Sequence, residues 1–400
     1  MKQHRRSQAG FTLIEMMVSV VISLVMSIAV MLVLSTFEGR RRTLGSTSDL
    51  DQTGALATFQ LDRWIRSAGS GLVQNNNTTY GCRVLASLSG TQILPASSSL
   101  PAPFGSVNPG TSGTFRLAPV IILPGQTTPN ISGQASDVLV VMASGNDAAQ
   151  VPSPLTASPA AGSLAVANIT EFSPSDLVLI ADKQPASGGG PKDCMVSQTA
   201  TSLSTGGTGA AMALGGTGTT YYNATIASTA LTSFTGDSYV YDLGASATGG
   251  SGQPASFQVI GVGDNNTLYS YDLLKIAGST PQAQSDGVFE MHAIYGVDST
   301  GAANNKIDQW VGADSSSAYS VSALSAGTAT ATGLLKNIRA VRVGLILRTP
   351  LPEKAAVTTN PLTMFADQSA LKVTRTLSAA EQHYRYRVVE TTIPVRNNNF

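Results

Sequence analysis

Charge is scarce in this chain. Only 12% of its 400 residues are Asp, Glu, Lys or Arg, split 24 acidic to 24 basic, so the formal net charge is zero. That balance argues against a basic nucleic-acid surface, and no strong nucleic-acid binding is expected. Histidine is rarer still. His4, His292 and His383 are scattered, and none has a Cys or His at ligand spacing, so no metal site is expected. The signatures of common enzymes are missing too: there is no G-x-S-x-G elbow, no Walker loop and no H-E-x-x-H pair. Gly261-Val262-Gly263 lacks the third glycine of a dinucleotide fingerprint. No catalytic residues and no cofactor are therefore expected, and His292 and His383 read as strand-face and helix-surface residues.

What is present is a long apolar run. From Phe11 to Phe37 there is no Pro, no Gly and one charged residue, Glu15. As helix the run covers about 40 Å, enough to cross a bilayer. A carboxylate deep in hydrocarbon costs on the order of 3 kcal/mol, so Glu15 needs a partner or a task. Ser19, Ser23 and Ser27 recur in steps of four and share one helical stripe. They read first as hydroxyls bonded back to their own helix, with packing against neighbouring helices as the alternative. Upstream, Met1 to Gly10 carries Lys2, Arg5 and Arg6 and no acid, as a segment held on the cytoplasmic side would. Arg40, Arg41 and Arg42 follow the run, so the count of basic residues alone does not decide orientation.

A secretory signal places its cleavage site after the apolar region, whereas here the small residue, Gly10, precedes it. Basic leader, Gly10, then Phe11-Thr12-Leu13-Ile14-Glu15 and an apolar helix resembles the class III signal of type IV pilins and secretion pseudopilins. The resemblance implies that a prepilin peptidase cuts between Gly10 and Phe11, that the new Phe11 amine is methylated, and that the helix is retained. It also implies that Glu15 pairs with the Phe11 amine of a neighbouring subunit and so sets the register of a polymer. Loss of Lys2, Arg5 and Arg6 leaves 21 basic residues against 24 acidic ones.

Beyond the arginines, Leu50, Gly54, Ala57, Leu61, Trp64 and Ala68 recur at helical spacing, which predicts that the helix continues and ends near Gly69 and Gly71. Gly39 and Gly45 mark a place where it is expected to bend or fray. Asp62, Arg63 and Arg66 fall on the outward face. The remainder is rich in Gly, Ser, Thr, Ala and Asn, with short β-type runs between turns. Strands are predicted at Asp137–Met142, Asp176–Ala181, Cys194–Gln198, Tyr239–Leu243, Phe257–Val262, Thr267–Leu274, Val288–Val297, Ile338–Leu347 and Tyr384–Val395. Asp264-Asn265-Asn266 reads as a hairpin turn. Ser153–Gly162, Ser204–Thr219 and Gly312–Thr332 read as loops. Residues Asp298 to Asp308 form an oxygen-rich stretch that lacks the acid pattern of a calcium loop and reads as a solvated turn.

Tyr295-Gly296-Val297-Asp298 with Ile307-Asp308, the terminal segment Tyr384 to Asn397, and the helix from Asp49 to Gly71 resemble type IV pilus minor pilins of the PilW type. The expected class is thus α+β: a leader at 1–10, a transmembrane helix at 11–37, its periplasmic extension at 38–70, and a large β-rich head at 71–400. Cys82 and Cys194 are the two cysteines. Both fall in the part exported to an oxidising compartment, where a disulfide is the natural pairing and two buried free thiols the alternative. The bridge would close a loop of about 113 residues, worth up to ~4–5 kcal/mol in the chain-entropy model. The implied function is assembly into a type IV pilus, near the tip in a priming complex. The implied partners are the prepilin peptidase, the major and other minor pilins, the inner-membrane assembly platform and the membrane. A type II secretion pseudopilin and a tip-displayed adhesive module are the alternatives.

Overall fold

The structure is a computed structural model that describes residues 10–109, 113–126, 135–145, 151–203, 210–215, 220–246, 249–250, 252–300 and 306–398. Contacts divide the chain into two compact units, Met1–Asp51 and Gln52–Phe400. Helix α1 (Leu13–Ser67) belongs to both.

In the first unit the helix passes Gly39 and Gly45 without interruption, so it does not fray there. Each glycine costs about 1 kcal/mol relative to alanine, too little to stop a cooperative helix already propagating from both sides. Leu13–Glu38 has a mean hydropathy of 2.8 and none of it is buried, so it is long and apolar enough to cross a membrane. Its hydroxyls are satisfied locally. Ser19 donates to the Met16 carbonyl at 2.9 Å, Ser23 to Val20 at 2.9 Å and Ser27 to Ser23 at 2.8 Å, so no polar hydrogen is left to hydrocarbon.

In the second unit α1 turns amphipathic. Ala57, Leu61, Ile65 and Ala68 are fully buried, while Arg63 is exposed and Asp62 pairs with Arg66 at 2.6 Å. Ile65, not Trp64, is the inward residue at that turn, because the period of 3.6 brings Leu61 and Ile65 into one row. Gly69 and Gly71 end the element with positive φ of 75° and 68°. Gly71 is also fixed by proximity, since a Cβ there would stand 2.6 Å from the Ser144 Cβ.

Among the described residues three larger sheets build the head. The first is ordered β2 (Thr91–Leu94), β1 (Val84–Leu88), β8 (Cys194–Gln198), β7 (Asp176–Ala181), β12 (Tyr239–Ala245) and β5 (Ser153–Pro154). Its β1–β8 pair is parallel. The second runs β15 (Gln282–Asp286), β14 (Thr267–Asp272), β13 (Ser256–Gly263), β4 (Val138–Ala143), β3 (Val120–Leu123). The third is β17 (Gln309–Val311), β16 (Val288–Val297), β18 (Ile338–Arg348), β21 (Tyr386–Pro394). Small pairs complete the set: β6 (Ser163–Val166) with β9 (Ala210–Ala213), β10 (Thr225–Ile226) with β11 (Thr229–Ala230), and β19 (Leu362–Met364) with β20 (Val373–Arg375).

The side-chain alternation of the third sheet divides two packing layers. On one face, Phe289, Ile294 and Ile346 meet Met364 and Phe365 from the β19 region. On the other, Leu347 and Val389 approach Gly54 of α1 so closely that a Cβ there would stand 2.7 Å from the Leu347 Cδ1. The first sheet packs Leu85, Val178, Ile180, Met195 and Val240 against Leu164 and Met212 of the β6–β9 pair.

All nine expected strands are present, with ends shifted by at most two residues. The hairpin turn at Asp264–Asn266 joins β13 to β14, with Asn265 and Asn266 at positive φ. The expected loop at 312–332 is corrected, since it holds the short helix α3 (Val321–Leu324) and the start of α4 (Ala329–Lys336). There Thr328 caps α4 by accepting from the Ala331 amide at 3.2 Å, an ordinary N-cap hidden in a Thr/Ala/Gly-rich stretch. One further four-residue helix, α2 (Asn76–Thr79), follows α1. The expected loop at 153–162 opens on the two residues of β5, and that at 204–219 contains β9, while 204–209 and 216–219 lie outside the described residues.

Candidate processing and assembly segment

Lys2, Arg5 and Arg6 lie outside the described residues. Gly10 and Phe11 are described and exposed, Phe11 by 82%. Among the described residues nothing lies within 4 Å of the point where a Cβ on Gly10 would stand.

Helix α1 opens two residues later. The Glu15 amide donates to the Thr12 Oγ1 at 3.3 Å, and the Thr12 hydroxyl donates to the Glu15 carboxylate at 3.4 Å. Thr12 thus stands at the N-cap and Glu15 three residues on, the placement of a capping box, although here the carboxylate reaches the threonine hydroxyl. Position matters for charge as well. In the first turn a carboxylate meets the positive end of the helix dipole. The cap is a local contact that the reading by residue type missed, and the T-x-x-E spacing ahead of an apolar run was its signal.

Cys82 and Cys194 form a disulfide with Cα atoms 5.7 Å apart. It lies where β1 and β8 start side by side, with Val84 in register with Cys194. Both sulfurs are buried.

Charged groups in the head assemble over long sequence distances. His292 on β16 places Nδ1 3.5 Å from the Asp137 carboxylate and Nε2 3.7 Å from that of Glu290. Burial alone would lower its pKa, but the two carboxylates outweigh burial and push it up to about 9. Asp137 also accepts from the Ala293 amide at 2.9 Å and the Gly125 amide at 3.1 Å. His383, in the 3₁₀ turn Glu381–His383, places Nδ1 2.9 Å from the Glu353 carbonyl. The solvated turn expected from Asp298 to Asp308 is corrected at its first residue. Asp298 is buried, 3.5 Å from Arg339. Desolvation opposes its ionisation, yet the Thr300 hydroxyl and the Arg339 charge hold its carboxyl below the usual range. Asn304 and Asn305 of that stretch lie outside the described residues.

Two family patterns match this chain. The prokaryotic N-terminal methylation motif covers residues 5–31, and the family described as type IV pilus-assembly protein W covers residues 258–397. Both matches support a PilW-type pilin with a class III leader. No curated protein and no solved structure matches the chain. The methylation motif ends inside the apolar part of α1, and the W-family region spans β14 to β21 and most of β13, the entire third sheet included. The type IV pilus minor pilin that the two matches support is membrane-anchored through its N-terminal apolar helix, the one long and apolar enough among the described residues, with the globular head outside the anchor.

Proposed function

We propose that a prepilin peptidase severs this pilin between Gly10 and Phe11, and that the mature subunit joins a tip or priming complex with other minor pilins at the inner-membrane assembly platform. On this reading residues 1–10 are the leader, 11–37 the membrane segment, 38–70 its periplasmic extension and 71–400 the head, which passes from the periplasm to the cell surface. Assembly, not catalysis, is its task.

The observation that carries the proposal is Glu15, an exposed carboxylate in the first turn of an apolar helix, with the Thr12 hydroxyl as its side-chain partner among the described residues. A hydroxyl does not neutralise a carboxylate. The cleaved Phe11 amine is a cation below its ordinary pKa of about 8, and in a low-dielectric filament core the amine of a neighbouring subunit offsets the cost of burying Glu15. The bulk of the Gln52–Phe400 unit supports a place at the filament end, where one side is free of neighbours. The W-family match supports a pilus over a secretion pseudopilus.

Intact-mass and N-terminal analysis of the chain recovered from membranes tests the processing step. A mature chain starting at methylated Phe11 supports it. A chain that keeps Met1, or one cut after Phe37, overturns it.

A further inference from the structure

We propose that the head carries a binding pocket for an acidic monosaccharide of the uronate class, with Arg348 recognising the sugar carboxylate. The pocket is an open cavity of about 680 Å³ lined by Arg348, Arg375, Thr376, Ser378, Glu381 and Tyr384 among others.

Arg348 ends β18 and is only 9% exposed, yet it enters none of the ion pairs among the described residues. Its guanidinium lies 4.9 Å from the Phe289 ring centre and 4.5 Å from that of Tyr384, its neighbouring hydroxyl is that of the neutral Tyr386, and its Nε is buried with no hydrogen-bond partner. Two aromatic faces hold the cation in place without neutralising it. A buried guanidinium in this state is preorganised for an anion, because its planar fork matches a carboxylate and its desolvation has already occurred on folding.

Arg375 behaves differently. It pairs with Glu290 at 2.8 Å and with Glu381 at 2.8 Å, and donates to the Thr376 carbonyl at 2.8 Å. Its charge is committed to the fold, so Arg348 is the group left for a ligand. Glu381 on the same wall, which accepts from Arg375 and from the Ser378 amide at 2.8 Å each, adds negative charge that disfavours a dianion such as a phosphate monoester. The exposed Thr376 and Ser378 add further polar groups, and Leu377 and the Tyr384 ring add apolar surface. One negative charge on a hydroxylated, partly apolar ring meets these demands together, which a bare peptide C-terminus does not.

Calorimetric titration of the full-length protein in detergent micelles with glucuronate, glucose and an acetylated tripeptide carrying a free carboxylate tests the assignment. Glucuronate is expected to bind, glucose at least about tenfold more weakly, and Arg348→Gln to weaken glucuronate by a similar factor. Thr376→Glu, at an exposed rim position, keeps the test valid if Arg348→Gln fails to fold, and it too should weaken glucuronate binding at least about tenfold. The assignment is overturned if wild type ignores glucuronate, if glucose binds equally well, if the tripeptide binds more tightly, or if either folded variant binds like wild type.

Discussion

Thr12 and Glu15 close the first turn of the anchor helix on each other, amide to hydroxyl at 3.3 Å and hydroxyl to carboxylate at 3.4 Å. The contact gives Glu15 a local role, which must be separated from the proposed pairing with a neighbour. Thr12→Ala removes the cap and costs about 1 kcal/mol at the helix start. Amide hydrogen exchange in micelles should quicken at Leu13 to Met16. Incorporation into minor-pilin complexes should fall little, because the Glu15 charge remains. If Thr12→Ala abolishes incorporation, capping and not pairing is the function of these two residues.

Gly54 is fixed by close approach, since its ideal Cβ lies 2.7 Å from the Leu347 Cδ1 and 3.6 Å from the Val389 Cγ2. Gly54→Ala should be nearly neutral, as the end of a leucine side chain can yield and alanine favours the helix. Gly54→Leu overpacks the contact between α1 and the third sheet and should cost about 1–3 kcal/mol in thermal or urea unfolding.

The His292 cluster makes head stability depend on pH. Its folded pKa of about 9 lies above the ordinary 6.5, so the protonated form is favoured by folding. The contribution is complete below about pH 6.5 and is lost as pH rises through about 9. The unfolding free energy from urea titration should therefore fall between pH 6 and pH 9.5, by on the order of 3 kcal/mol for this group. His292→Gln should flatten that part of the profile.

Reduction of Cys82–Cys194 should release up to ~4–5 kcal/mol of chain-entropy stabilisation. Urea unfolding of the Cys82→Ser/Cys194→Ser protein should shift to a lower midpoint, while the anchor helix still partitions into membranes. A non-reducing peptide map checks the pairing, and free alkylation of both thiols without reductant would contradict it.

Much of the head was legible because its strands are continuous apolar runs. Asp176–Ala181 and Cys194–Gln198 are buried along their whole length and so announce themselves. Val84–Leu88 and Thr91–Leu94 did not, as Ala86, Ser87, Thr91 and Gln92 dilute the pattern. Edge strand Gln282–Asp286 is polar outright, its ladder supplied by Thr267–Asp272 and not by its own apolar residues. The leader and Glu15 were visible because their chemistry is local. The ionic groups were not. Asp137 reaches His292, and Glu290 reaches Arg375, across sequence separations that only the folded sheets close.

The most direct measurement of the central claim is co-purification of Glu15→Gln with other minor pilins from membranes, beside wild type. The substitution removes the charge and nearly keeps the shape. Insertion should become slightly easier, cleavage after Gly10 should persist and incorporation should fall, with Glu15→Asp between the two because its charge is kept at shorter reach. Glu15→Gln entering complexes and pili as well as wild type would contradict the account and leave Glu15 as no more than part of a helix cap.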